Sequence, residues 1–304
     1  MRLTCAGACG YYADGAAVVG SFRPEKQFTW LISLDFEMMG KDKALRVTFI
    51  GASSALPTAD EETAGFVLNG VHLVDAPCGV VRSLLRCGID PMAIRTVIFT
   101  HFHQDHYMGL PQLLFYRGLK ASWQGGSELL TLYGPSDIGL VVKLTREFLR
   151  AEEFPVVWPE LTHQALKPGE VVACSEYRLE TAEARHAVED LCYRFTDLDS
   201  GASVVFTGDT VYHEPLSEFA RGCDLLIHEA SFCGDVPRET VEQTKHSTAA
   251  EAARIASLAG AGMLALIHYN AGKAEQTLQE ARAVFSNAVL AKTGLTLNVW
   301  FGGR

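Results

Sequence analysis

The segment Thr100-His101-Phe102-His103-Gln104-Asp105-His106 constrains this 304-residue chain more than any other stretch. It places three histidines and an aspartate within six residues, straight after the apolar run Thr96-Val97-Ile98-Phe99, which reads as a buried strand. Alternate side chains share a face in extended backbone, so the imidazoles of His101 and His103 point the same way and can meet one cation. Asp105 and His106 lie beyond the turn and can reach a second ion beside it. Imidazole and carboxylate at this spacing are the donors a divalent-metal site uses.

Such a site needs more ligands, and three residues stand in suitable places. His186 follows the expected strand Tyr177-Arg178-Leu179-Glu180-Thr181, and Asp209 follows the apolar run Ser203-Val204-Val205-Phe206. His268 ends Leu264-Ala265-Leu266-Ile267. All three sit at strand ends, where an α/β scaffold presents side chains to a common cleft.

The remaining pattern supplies that scaffold. Residues 45–50 read as a strand entering a Gly51 turn, and Asn69-Gly70 between Phe66-Val67-Leu68 and His72-Leu73-Val74 signals a hairpin. Helices are expected over 80–87, 108–118 (with Pro111 in the first turn), 138–150, 248–258 and 274–285, and strands at 130–133, 225–227 and 264–267. The stretch 156–206 is β-rich. Mixed elements without a linker predict one α/β domain over 41–304. Residues 1–40 are Gly/Ala-rich without a sustained period and read as an N-terminal extension of doubtful status, with Met38-Met39 a candidate alternative start.

Composition narrows the partners. With 48% hydrophobic and 20% charged residues the chain is a packed globular protein, not a disordered one. No apolar run approaches the roughly 20 residues of a membrane helix. The net charge of −10, with no Lys/Arg-rich run to offset it, makes nucleic acid possible but not favoured as a partner. Eight scattered cysteines without a CxxC pair, and Gly7, Gly10, Asp14 and Gly15 interrupting any signal-peptide core, predict a cytoplasmic protein with free thiols.

The pattern resembles the metallo-β-lactamase superfamily, whose HxHxDH signature is matched by His101, His103, Asp105 and His106. The resemblance runs from Leu45 to the C-terminus and implies a four-layer αββα sandwich, an α/β fold with a two-metal site at one edge. It implies that His101, His103 and His186 hold one ion, Asp105, His106 and His268 the other, and that Asp209 bridges them. The cofactors expected are two divalent metal ions, Zn2+ first, with Mn2+ or Fe2+ as alternatives.

Within that superfamily the chain is similar to the ribonuclease Z branch. The stretches Gly109-Leu110-Pro111, Tyr133-Gly134-Pro135, Ile227-His228-Glu229-Ala230-Ser231-Phe232 and Lys245-His246-Ser247-Thr248-Ala249 carry that likeness. It implies a metal-bridging hydroxide, Asp105 as base, and His246 oriented by Glu229 as proton donor. His246 also sits just before the capping box Thr248-Ala249-Ala250-Glu251, and the dipole of the helix it opens disfavours imidazolium, so Glu229 and an anionic substrate must offset it. Tyr107, Met108, Tyr212 and Phe232 fall near the expected site, whereas His72, His163, His213 and His228 read as structural or surface residues.

The chain departs from that branch where the resemblance places an RNA-binding arm. Tyr193-Arg194-Phe195 runs through residues 196–200 directly into Ser203-Val204-Val205-Phe206, a plain hairpin. The branch's D-C-G-E stretch becomes Asp75-Ala76-Pro77-Cys78-Gly79-Val80, and the Ser and Arg after the last ligand give way to Asn270-Ala271-Gly272-Lys273. The expectation is a binuclear metal-dependent hydrolase, a phosphodiesterase acting on a small anionic or phosphodiester substrate, with a homodimer implied by the branch. The alternatives are a tRNA 3′-processing endoribonuclease, or a hydrolase of cyclic nucleotides, aryl sulfates, phosphotriesters or lactams. A metal-binding regulatory module or di-iron redox protein is disfavoured because the ligand set is unbroken and His103 stands where the di-iron branch carries Glu.

Overall fold

The hairpin at Asn69-Gly70 forms as the sequence demands. Both residues take positive φ, 51° and 76°, and the Val71 amide donates to the Leu68 carbonyl at 3.1 Å, the geometry of a turn that matches strand twist. The computed structural model describes residues 44–126 and 129–302. The expectations on the extension 1–40 and on Met38-Met39 lie outside the described residues, as do two of the eight cysteines.

In chain order the strands are β1 (Leu45–Gly51), β2 (Gly65–Leu68), β3 (His72–Val74), β4 (Thr96–Ile98), β5 (Leu130–Gly134), β6 (Leu161–Ala165), β7 (Val171–Ala173), β8 (Tyr177–Ala184), β9 (Asp190–Asp197), β10 (Ser203–Phe206), β11 (Leu225–Glu229), β12 (Met263–Ile267), β13 (Ala288–Leu290) and β14 (Thr296–Val299). The helices are α1 (Val80–Arg86), α2 (Gln104–Tyr107), α3 (Gly109–Gln124), α4 (Ile138–Phe148), α5 (Leu216–Phe219), α6 (Arg238–Thr244), α7 (Ala249–Ala259) and α8 (Ala274–Val284). One sheet has the order β14-β1-β2-β3-β4-β5-β6 and the other β13-β12-β11-β10-β9-β8-β7.

Strand alternation builds the layers. On β2, Phe66 and Leu68 join the core between the sheets, while Val67 faces the opposite way into the core formed with α1, α3 and α4. Phe66 meets Phe206 of the second sheet edge to face, with ring centroids 5.2 Å apart. Helices α5, α7 and α8 cover the outer face of that second sheet through residues such as Leu216, Ala252, Ala256 and Ala281. With both faces covered, β2, β10 and β11 are buried at every position. The result is the αββα sandwich. No helix among the described residues is long and apolar enough to cross a membrane, and Cys78, Cys87, Cys174, Cys192 and Cys233 are free thiols.

Helices α2, α5 and α6 and strands β13 and β14 were not expected from the sequence, and α3 and β4 differ from it in extent. Helix α3 runs past Gly118 to Gln124, because Gly118 is not a stop but a close approach: a Cβ there would lie 3.2 Å from Val156. Strand β4 ends at Ile98, and the Thr100 amide leaves the ladder to donate to Asp75 Oδ1 at 2.9 Å. That departure turns His101 out of the sheet edge.

Gly109 opens α3, where alanine ordinarily stabilises a helix. Here a Cβ would lie 2.1 Å from the Pro77 carbonyl oxygen and 2.8 Å from that of Ala76. Gly109→Ala is therefore expected to destabilise, by about 1–3 kcal/mol, read from the shift in urea midpoint; an unchanged or raised midpoint would refute the packing argument.

Candidate metal centre

The site lies where five strands hand over to loops. Asp75 follows β3 and His101 follows β4, and these two strands are parallel. Asp209 follows β10, Glu229 ends β11 and His268 follows β12, three neighbouring parallel strands. Carboxyl ends of parallel strands are where α/β sheets offer a cleft. His103, Asp105 and His106 come from the loop and the short helix α2, and His186 from the loop after β8.

All seven residues singled out as ligands are brought together. Donor atoms of His101, His103 and His186 lie within 4.8 Å of one another, as do those of Asp105, His106 and His268, and those of His101, His106 and Asp209. Asp209 Oδ2 is 3.4 Å from both His106 Nε2 and His268 Nε2, and 3.9 Å from His101 Nε2. Asp105 Oδ2 is 3.2 Å from His106 Nε2 and 3.1 Å from His268 Nε2. Two donors, each about 2.0–2.1 Å from a tetrahedral ion, stand about 3.3 Å apart, which is the spacing seen.

The imidazoles are held from behind. His101 Nδ1 meets Asp190 Oδ2 at 2.9 Å, and His106 Nδ1 meets Asp75 Oδ2 at 2.9 Å. His186 Nδ1 lies 3.0 Å from the Lys245 carbonyl and His268 Nδ1 lies 2.9 Å from Ser231 Oγ. Each partner commits Nδ1 and leaves Nε2 for the centre. His103 is reversed, with its Nδ1 turned inward 3.0 Å from His186 Nε2. The inward Nε2 atoms of His101 and His106 are buried without a hydrogen-bond partner, so the donor set fits a pair of divalent ions.

The electrostatics agree. Burial, reinforced by neighbouring imidazoles, pushes the pKa of His101 well below the ordinary value, and burial lowers His103 and His186 too, so their lone pairs stay free. Burial would raise Asp209, but His268, His106 and His101 hold it well below the usual carboxylate range. Asp105 is likewise lowered, burial being outweighed by the adjoining imidazoles of His106 and His268. Burial resists a charge on His106, yet Asp209 and Asp75 hold its pKa well above the ordinary value. Anionic oxygens clustered in a buried site attract positive charge of whatever kind is offered.

Beside this centre, His246 Nδ1 lies 2.9 Å from Glu229 Oε1, and Glu229 is wholly buried. Its Oε1 also accepts from the Thr210 amide at 2.9 Å and its Oε2 from Ser231 Oγ at 2.7 Å. The capping box forms, Thr248 and Glu251 closing the start of α7. Burial lowers His246, but the Glu229 charge more than offsets it and the pKa is pushed up to about 9, as the opposed helix dipole requires.

Other expectations sort cleanly. Phe232 lines a cavity of about 350 Å³ together with His246 and His268. Tyr212 instead packs under Arg254, Tyr107 packs against Phe102, and Met108 is not part of that cavity's lining. His72 is structural, bonded to Thr96 and Glu176, and His228 is buried against its own strand. Sequence reasoning missed Asp75, Asp190 and Ser231 as supports of the imidazoles. Asp75 carried a signal, since it follows an apolar strand as Asp209 does; Asp190 begins a strand and carried none.

Residues 71–269 match the family model described as the beta-lactamase superfamily domain. A ribonuclease Z of Parasynechococcus marenigrum is 30% identical over 320 aligned positions, covering 84% of this chain and 98% of the relative. The chain belongs to the β-lactamase superfamily, in its ribonuclease Z-like branch. The metallo-β-lactamase fold protein YhfI from Bacillus subtilis superposes with a TM-score of 0.73 at 28% identity, covering 84% of this chain and 99% of its own. The short form of human tRNase Z gives 0.68 at 22% identity over 84% and 99%, a likeness of fold. For a superfamily member the observed donor set is the expected place of divalent metal. The 320 aligned positions exceed the 84% of this chain that enters them, so the ribonuclease Z carries residues with no counterpart here. Between β9 and β10, where the arm was expected to be missing, the chain has only the loop 198–202.

Asp75 and Asp190 lie outside the donor groups that face the centre and bond the backs of His106 and His101. Asp75→Asn or Asp190→Asn is expected to weaken zinc affinity about 10–100-fold, measured by competition with a chromogenic chelator. Unchanged affinity in both would mean that these carboxylates do not tune the imidazoles.

Proposed function

We propose that the chain hydrolyses phosphodiesters with two divalent ions, held by His101, His103 and His186 on one side and by Asp105, His106 and His268 on the other, with Asp209 between them. Its branch makes it a metal-dependent hydrolase of phosphodiesterase type. The observation that carries the reading is the His246–Glu229 pair, set 3.9 Å from Asp209 beside the two donor groups. The imidazole-rich donor set suits zinc. When bound, such ions supply a water acidic enough to react near neutral pH and offset charge on the phosphoryl oxygens.

The chain's own groups do the rest. Asp105 Oδ2 stands beside Nε2 of His106 and His268 and would hold an ion with them, leaving Oδ1 to take the proton of the attacking water. His246 gives its Nδ1 proton to the hydrogen bond with Glu229 Oε1, so Nε2 carries the proton that the leaving oxygen needs. Glu229, bound by Thr210 and Ser231, fixes the ring and stabilises its charged form.

A second reading, tRNA 3′-end processing, is favoured by the relatives named ribonuclease Z, nearly the whole length of which is covered. A panel of precursor tRNA, cyclic nucleotides, aryl phosphodiesters, aryl sulfates and lactams on zinc-loaded protein separates the two. The proposed reading predicts turnover of bis(p-nitrophenyl) phosphate, and absence of turnover with metal bound would overturn it. His246→Ala is expected to lose at least about 10²-fold in kcat while retaining its metal. Loss of metal in that variant would reassign His246 as a ligand.

A further inference from the structure

We infer that the cavity of about 350 Å³ beside His246 is the leaving-group pocket, shaped for an uncharged, ring-sized alcohol or phenol. The inference rests on the phosphodiesterase reading and deepens it. A general acid must stand about 2.6–3.2 Å from the atom it protonates. The leaving oxygen therefore sits at His246, and whatever it carries projects into the space that His246 lines.

That space has a definite chemistry. Ala55, Phe232, Cys233 and Val236 give it an apolar wall, with the Phe232 ring steeply inclined to His246 at 77° and 6.1 Å between centroids. Its cation, Lys273, is paired with Asp235 at 2.7 Å, so no unmatched positive charge awaits a second phosphate. The volume lies at the low end of ligand pockets, enough for one ring and not for a run of nucleotides. A second space of about 660 Å³ at His186 is lined also by Arg185, Lys245, Glu183 and Glu189 and by no Phe, Tyr or Trp. The two spaces are thus unlike, and the apolar one is served by the proton donor.

Two diesters locate the pocket. Bis(p-nitrophenyl) phosphate and methyl p-nitrophenyl phosphate both expel p-nitrophenolate but differ in the group retained. Phe232→Ala is expected to lower kcat/KM about tenfold on both alike, and to weaken binding of p-nitrophenol itself, followed by calorimetry, by a similar factor. Val236→Trp, which fills the cavity, is expected to abolish p-nitrophenol binding with metal content unchanged. A penalty confined to the bis ester would place the retained group in the cavity and overturn the assignment, as would two variants with unaltered kinetics and binding. If metal-loaded wild type cleaves neither diester yet binds p-nitrophenol through Phe232, the phosphodiesterase reading fails while the cavity stands as an aryl-alcohol site.

Discussion

The Asp209 carboxylate is the constraint around which the site is built. It is 2% exposed, and its Oδ2 lies within 3.9 Å of nitrogens from His101, His106, His246 and His268. A buried carboxylate costs several kcal/mol unless positive charge faces it. Every neighbouring element serves that need. Gly208, at φ 59°, brings β10 out to Asp209, and a Cβ on it would lie 2.3 Å from Asp190 Oδ1. The glycine thus admits the carboxylate that orients His101.

The two sheets explain why such a cluster can be assembled from residues 167 positions apart, from His101 to His268. Parallel pairing within β3–β4 and within β10–β12 puts the carboxyl ends of five strands on one edge of the sandwich. Each strand delivers one polar side chain there while its apolar residues stay in the cores. Asp75 and His268 adopt positive φ, 57° and 51°, a conformation few side chains choose. Backbone strain of this kind gathers at functional sites, where packing over-determines it. The same edge opens both to the apolar cavity and to the charged space at His186.

Much of this was legible in the sequence, for physical reasons. The HxHxDH spacing encodes an extended turn-out followed by a helical turn, and it pointed to four of the side chains that meet here; the strand-end rule pointed to His186, Asp209 and His268. The apolar strands announced a sheet covered on both faces. What escaped were contacts that depend on the meeting of distant elements. Asp190 supports His101 only because the start of β9 meets the chain beyond β4, where the Leu191 amide donates to the Thr100 carbonyl, and Ser231 supports His268 only because β11 lies beside β12. The extension of α3 past Gly118 depended on the 156–158 segment crossing it. The pocket guesses fared unevenly because aromatic residues near a motif have no fixed direction: Phe232 faces the cavity, and Tyr212 packs under Arg254.

The two donor groups on either side of Asp209 predict a pair of ions. Elemental analysis of protein dialysed against zinc tests it most directly, with His186→Ala run beside the wild type. Two zinc ions per chain are expected in the wild type, falling to one when the group of His101, His103 and His186 loses a member. A wild type that holds no zinc, or a His186→Ala variant that still holds two ions, would contradict it.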